Sequence, residues 1–317
     1  WAYEPVTASE VPAAAGGAKD HPIDRFIGAK LATYHRSLAP EASPEMLLRR
    51  VTLALTGLPP TASELDAFLA DRTPGAYERA VDRLLSSSAF GEHLARGWLD
   101  AVRYADTHGL HYDNARTIWP YRDWVVQALN SNQRFDQFTI EQLAGDLLPH
   151  PTQSQLVATG YLRSHLTTNE GGAIVEEVQM RYTNDRVDTT TAVWLGLTAN
   201  CASCHDHKFD PLKQSEYYAS GAFFKGLADK TWDANARISG PFIALANEEQ
   251  QHRLDRAKAA LPALRQTLGA KAEALLRESP LPAPGPATYE VVWAEDGDVP
   301  LPQHYADSPP PAPSGEW

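Results

Sequence analysis

The sequence predicts a mainly α-helical fold, an irregular multi-helix domain with the start of a β-rich segment at its C-terminus. Apolar residues recur at helical spacing in one segment after another of the 317-residue chain, and short turns separate the segments. The first strand-like run, Tyr289-Glu290-Val291-Val292-Trp293, comes only after a Pro-rich linker at 279–287. The only two cysteines, Cys201 and Cys204, stand directly after a long apolar helical segment.

Residues 1–20, rich in Pro, Ala and Gly, read as an N-terminal arm or linker. A first helix starts near Pro22 and carries Ile23, Phe26, Ile27, Leu31 and Tyr34. Leu47, Val51, Leu53 and Leu55 mark a second, stopped by Gly57 and Pro59-Pro60. Thr61 or Ser63 caps a third, with Leu65, Phe68 and Leu69 on one face. Two more are expected over 75–86 and 90–105. Helices near 119–131 and 136–147 supply Trp119, Tyr121, Trp124 and Phe138 as core aromatics. A helix from Gln155 to His165 precedes a long one over 173–198, which hands the chain to Cys201. Pro211 then opens a short helix with Tyr217, Tyr218, Phe223 and Phe224. Residues 247–278 form a polar helix with leucines at 254, 261, 264, 268 and 275, and Pro262 is placed to kink or divide it.

The chemistry concentrates in Cys201-Ala202-Ser203-Cys204-His205-Asp206-His207-Lys208. Two thiols three positions apart can each form a thioether with one haem, and the imidazole of His205 can ligate the iron. This is the pattern of covalent c-type haem attachment. Three other chemistries use similar residues. A thioredoxin-like pair would follow a strand, but a helix precedes this one. Zinc could take Cys201, Cys204, His205 and His207, although four ligands within seven residues is compact for a structural site. A disulfide is the third. His207 lies too close to His205 in sequence to reach the opposite haem face. It is expected to hydrogen-bond locally, or to bind a second, divalent metal with Asp206 or Asp210.

Two polar loops hold the remaining candidates. Asp106-Thr107-His108-Gly109-Leu110-His111-Tyr112-Asp113-Asn114 gathers two histidines and two carboxylates, Asp106 and Asp113, that could approach a haem or a metal. Its plain reading is a surface loop. His165-Leu166-Thr167-Thr168-Asn169-Glu170-Gly171-Gly172 reads plainly as a turn before a helix start. A second axial ligand to iron is expected from His111, ahead of His108 and His165. Met46 and Met180, the only methionines, fall at helix-periodic positions where packing is the commoner role.

The run Thr190-Thr191-Ala192-Val193-Trp194-Leu195-Gly196-Leu197-Thr198 into Cys201…Cys204-His205-Asp206-His207-Lys208-Phe209-Asp210-Pro211 resembles the PSCyt2 (DUF1549) family, a cytochrome-associated domain of large secreted planctomycete and verrucomicrobial proteins. The likeness also takes in His21-Pro22-Ile23-Asp24-Arg25-Phe26, Trp98-Leu99-Asp100, Arg103-Tyr104-Ala105-Asp106 and Glu141-Gln142-Leu143-Ala144-Gly145-Asp146, and covers about residues 20–226. It implies an exported multidomain protein with a haem-related role, usually carrying PSCyt1 and PSD1 domains. It also implies that His165, Asn169 and Glu170 line the haem pocket. The expected organisation is an arm (1–20), a helical haem c domain (21–226), a helical extension with a Pro-rich linker (227–286) and the beginning of a β-rich domain or tail (287–317).

A net charge of −12 argues against a nucleic-acid partner, and no apolar run approaches the roughly 20 residues of a membrane helix. Covalent haem implies export to the periplasm or beyond. The expected function is a c-type cytochrome domain passing electrons for an extracytoplasmic oxidoreductase. The expected partner is a redox protein, a neighbouring cytochrome domain or a further domain of the same protein. Two alternatives stand beside it: a haem enzyme with an open iron site, and a non-haem metal-binding module of a polysaccharide-processing assembly.

Overall fold

The computed structural model describes residues 3–15, 21–230 and 240–278, which divide into two units, one up to Ala244 and one from Leu245. Ten α-helices build the first unit: α1 (Pro22–Ala32), α2 (Pro44–Thr56), α3 (Ala62–Ala70), α4 (Ala76–Leu85), α5 (Ser88–Ala101), α6 (Trp119–Asn130), α7 (Phe135–Ala144), α8 (Gln153–Ala158), α9 (Val175–Thr190) and α10 (Gln214–Lys225). Short 3₁₀ segments at Gly145–Leu147, Thr159–Arg163 and Ala199–Ser203 link them, and a π-helical turn at Thr191–Leu195 follows α9. Among the described residues β structure is confined to two isolated bridges. The expected strand at 289–293 and the β-rich tail lie outside the described residues.

Local sequence sets the helix ends. Pro22 and Pro44 stand in the first turns of their helices, where the missing N–H has no intrahelical role. Gly57 takes a left-handed φ of 69° that ends α2. Thr61 and Glu64 form a reciprocal capping box at the start of α3.

The core is an aromatic stack in which Trp98 and Tyr121 turn their polar atoms to one buried glutamine. Tyr121, Trp124 and Phe138 are buried, and Trp98 meets Phe138 edge-on with ring centres 4.8 Å apart. The indole N–H of Trp98 donates to Gln142 Oε1 at 3.0 Å, and the Tyr121 hydroxyl donates to the same oxygen at 2.7 Å. The Gln142 amide in turn donates to the Phe138 carbonyl. This chain of bonds lets a glutamine sit fully buried without an orphan. Trp119, expected in this cluster, is instead half exposed at the first position of α6. Neither methionine is buried: Met46 and Met180 both stand partly open to solvent.

The long segment predicted over 173–198 breaks into three pieces. α9 ends at Thr190, the π turn lets Trp194 reach Thr139 of α7 with its indole N–H at 2.9 Å, and Gly196 reverses the chain with φ 66°. The reason is packing. A continued α-helix would carry Trp194 away from the core it fills beside Tyr161, 5.0 Å away.

In the second unit a single helix, α11 (Glu248–Glu278), runs through Pro262 without dividing.

Candidate functional site

The Cys-x-x-Cys segment starts as a 3₁₀ turn, and that geometry sorts its side chains. With three residues per turn, positions i and i+3 eclipse each other. Ala199 and Ala202 are buried against Val187 and Tyr217. Cys201 and Cys204, also three apart, are both exposed and carry free thiols. The small buried alanines seat the turn on α9 and α10, so the two sulfur atoms face outward.

Polar contacts fasten the turn on each side. Asn200 donates to Asp188 of α9 at 2.6 Å. Burial pushes the Asp188 carboxyl up, with the bond from Asn200 opposing. Burial, and then the neighbouring Asp188, push the Tyr217 hydroxyl up as well. From α10, the Gln214 side chain and the Tyr218 hydroxyl both donate to the Ser203 carbonyl, at 3.2 and 2.8 Å. None of these residues has a periodic signature; only adjacency to the cysteines marks Asn200.

His205 is exposed, and its Nδ1 lies 2.7 Å from the Asp206 carbonyl oxygen. A carbonyl can only accept, so Nδ1 carries a proton, and in the neutral ring Nε2 is the nitrogen with a lone pair for a metal. His207 behaves oppositely. Its Nδ1 accepts from the backbone N–H of Asp210 at 2.8 Å and of Phe209 at 3.3 Å, which is the local role expected for it. The Asp210 carboxylate lies 3.3 Å from the same ring and also accepts from the Tyr3 hydroxyl at 3.1 Å. Among the described residues no group of three or more His, Cys, Asp or Glu side chains is disposed to hold a metal ion.

The two polar loops come together. The His108 carbonyl accepts from Thr167 N–H at 3.0 Å, and Gly109 and Thr167 form a parallel bridge. Arg116 clamps them further, donating to the carbonyls of Ala105, Arg163, Ser164 and His165. Burial pushes its guanidinium down to about 10, still charged at neutral pH.

The candidates in these loops differ in access. His108 is buried, with Nδ1 on the Thr167 hydroxyl. His165 is 1% exposed; Nδ1 donates to the Leu166 carbonyl and Nε2 accepts from Arg186 at 2.7 Å. His111 is exposed at the loop tip, left-handed at φ 57°, with its ring 4.1 Å from that of Tyr112. Asp113 is bound inside the same loop: the bond from Thr107, then the Gly109 N–H, holds its carboxyl below the usual range. Asp106 accepts from the Tyr104 hydroxyl, Glu170 is exposed and Asn169 is partly exposed.

Arg103 carries no sequence signal of a role at this site. It adopts φ 59°, pairs with Asp185 of α9, and has a buried Nε with no partner among the described residues. Asp185 stands one turn before Asp188, so this pair sits beside the cysteine turn's own anchor on the same helix.

Fold and site together define an all-helical domain that presents a dithiol and a metal-competent imidazole on one surface turn. The family model of PSCyt2, protein of unknown function (DUF1549), matches residues 22–229, and the chain belongs to this family. No curated protein and no solved structure matches it. Among the described residues no helix is long and apolar enough to cross a membrane.

Proposed function

We propose that this chain is a c-type cytochrome domain of an exported multidomain protein, passing electrons for an extracytoplasmic oxidoreductase. One observation carries the reading. Cys201 and Cys204 stand exposed with free thiols at the two ends of one short turn, beside an imidazole whose Nδ1 faces the Asp206 carbonyl. That donor set fits haem c: two accessible thiols for two thioethers, and one unprotonated Nε2 for iron. When bound, the haem would supply a one-electron couple at iron. The protein's own part is to hold the turn rigid through Ala199, Ala202, Asn200 and Gln214, and to orient His205.

A second reading, an open iron site, is favoured by the engagement of His108 and His165 in the fold, which leaves His111 as the accessible histidine of the three.

The test is intact mass and optical spectroscopy of the chain produced with cytochrome maturation machinery. One added haem, lost in Cys201→Ser/Cys204→Ser, is expected. A low-spin spectrum indifferent to cyanide supports electron transfer, and a high-spin spectrum that responds supports the open site. A Cys201–Cys204 disulfide with no Soret band overturns both.

A further inference from the structure

We infer that Asp206 and Gln214 act as a positioning pair that fixes the His205 imidazole for its iron; this rests on the haem reading. Among the described residues, the hydrogen bond to the Asp206 carbonyl is the one that holds the ring. That carbonyl is itself steered. The Asp206 carboxylate accepts the backbone N–H of Gln214 at 2.9 Å. Gln214 is the first residue of α10, so this N–H has no partner within its own helix, and a carboxylate there is favoured by the helix dipole. The side chain of the same Gln214 reaches the Ser203 carbonyl at 3.2 Å. One residue thus grips the turn on both sides of Cys204 and His205. Its backbone orients the peptide that sets the tautomer, and its side chain orients the peptide between the thiols.

The consequence is electronic as well as geometric. A ring whose Nδ1–H is held by a carbonyl is a stronger donor through Nε2. A stronger donor favours ferric over ferrous iron and lowers the midpoint potential.

The experiment compares haem-loaded wild type, Asp206→Ala, Asp206→Asn, Gln214→Ala and Gln214→Pro by redox titration and low-temperature EPR. Proline suits the first turn of a helix but has no N–H to give Asp206, and Lys213 already has the extended backbone (φ −84°, ψ 153°) that a following proline demands. Asp206→Ala is expected to raise the midpoint potential and to weaken His205 ligation on the order of 10-fold, seen as a growing high-spin fraction. Asp206→Asn keeps an acceptor oxygen and should stay near wild type. Gln214→Pro should exceed Gln214→Ala in the same direction. Should Asp206→Ala fail to accumulate, the difference between Gln214→Pro and Gln214→Ala reads the same bond, since only proline removes the N–H. Unchanged potentials and spectra in Asp206→Ala and Gln214→Pro overturn the inference, as does Asp206→Asn behaving like Asp206→Ala, which would make charge the cause. A wild-type chain that takes up no haem removes the haem reading itself and this inference with it, an outcome distinct from both.

Discussion

Arg186 donates from Nη2 to Nε2 of His165 at 2.7 Å, in the interior of the fold. The same Nη2 lies 2.6 Å from Asp229 Oδ2, and Nε donates to the Leu162 carbonyl at 2.9 Å. A helix-borne cation therefore ties α9 to the second polar loop and to the segment that follows α10. All three side chains are about nine-tenths buried or more. Removing the arginine strands a buried carboxylate and a buried ring acceptor. Arg186→Ala should cost about 3–5 kcal/mol, the range for breaking a buried ion pair from one side. Chemical denaturation of wild type and variant measures it, and a loss under about 1 kcal/mol would contradict this account of the cluster.

The same cluster sets an acid response. Burial pushes the His165 pKa down, so the ring is neutral in the fold. Stability from this group is complete above the unfolded value near 6.5 and declines as pH falls below it. Asp229 works in the same direction over a lower window. Burial opposes its charge, but the Arg186 guanidinium beside it holds its carboxyl down to about 2. Its contribution is present above the unfolded value near 4 and is lost as pH falls through about 2. Denaturation midpoints should fall from pH 6.5 toward pH 5 in wild type, and His165→Gln should flatten that limb. A flat wild-type profile over this interval would show that His165 is not the titrating group.

How much was legible follows from where each signal lives. Helix ends written in single residues, such as Pro22, Gly57 and Thr61, were readable because each acts through its own backbone. The cysteine turn stood out because Cys201, Cys204 and His205 carry their pattern in local spacing, and the fold adds that both thiols are exposed. Trp119 was not, since an aromatic at a helix start has the same local pattern whether it faces in or out. The break after Thr190 was hidden because Trp194 leaves helical register to meet Thr139, a partner 55 residues away. The anchors Asp188, Asn200 and Gln214 were invisible for the same reason. Each is an ordinary polar residue until the fold sets it against the turn.

Gly109 joins the two polar loops through its bridge to Thr167. Its φ is +80°, and a Cβ built there would lie 2.2 Å from Cδ2 of Leu166. Leu166 can swing aside, but the left-handed backbone remains costly for alanine. Gly109→Ala should destabilise the domain by about 1–3 kcal/mol. It should also increase hydrogen exchange at the Thr167 amide, which bonds to the His108 carbonyl. An unperturbed Thr167 amide would show that the bridge does not depend on Gly109.

His207 caps the turn after His205 by accepting two backbone N–H groups, from Phe209 and Asp210. His207→Ala removes the acceptor of the part-buried Asp210 N–H, while the exposed Phe209 N–H can turn to water, and should cost about 1–3 kcal/mol. Thioether formation at Cys201 and Cys204 should survive, because neither sulfur depends on this ring. Intact mass gives the attachment and urea denaturation the stability. Loss of covalent haem from a folded His207→Ala protein would count against a purely local role.

The last prediction concerns the second face of the iron. Among His108, His111 and His165, access rather than sequence separates the candidates. His165 uses both ring nitrogens, on the Leu166 carbonyl and on Arg186, and freeing it would break the buried cluster. His108 is 4% exposed, and its Nδ1 is bound to Thr167. His111 is exposed at the tip of a loop stiffened by the Gly109 N–H to Asp113 bond at 2.7 Å and by the Thr107–Ala115 bridge. A ligand from this chain is therefore expected to be His111. Low-temperature EPR of the haem-loaded protein should show low-spin iron that becomes high-spin in His111→Ala. His108→Ala and His165→Ala should lower stability while leaving the g-values in place. If wild type is already high-spin and binds cyanide, the face is open and the catalytic reading gains. If wild type is low-spin and His111→Ala leaves the g-values unchanged, the ligand comes from another residue or domain.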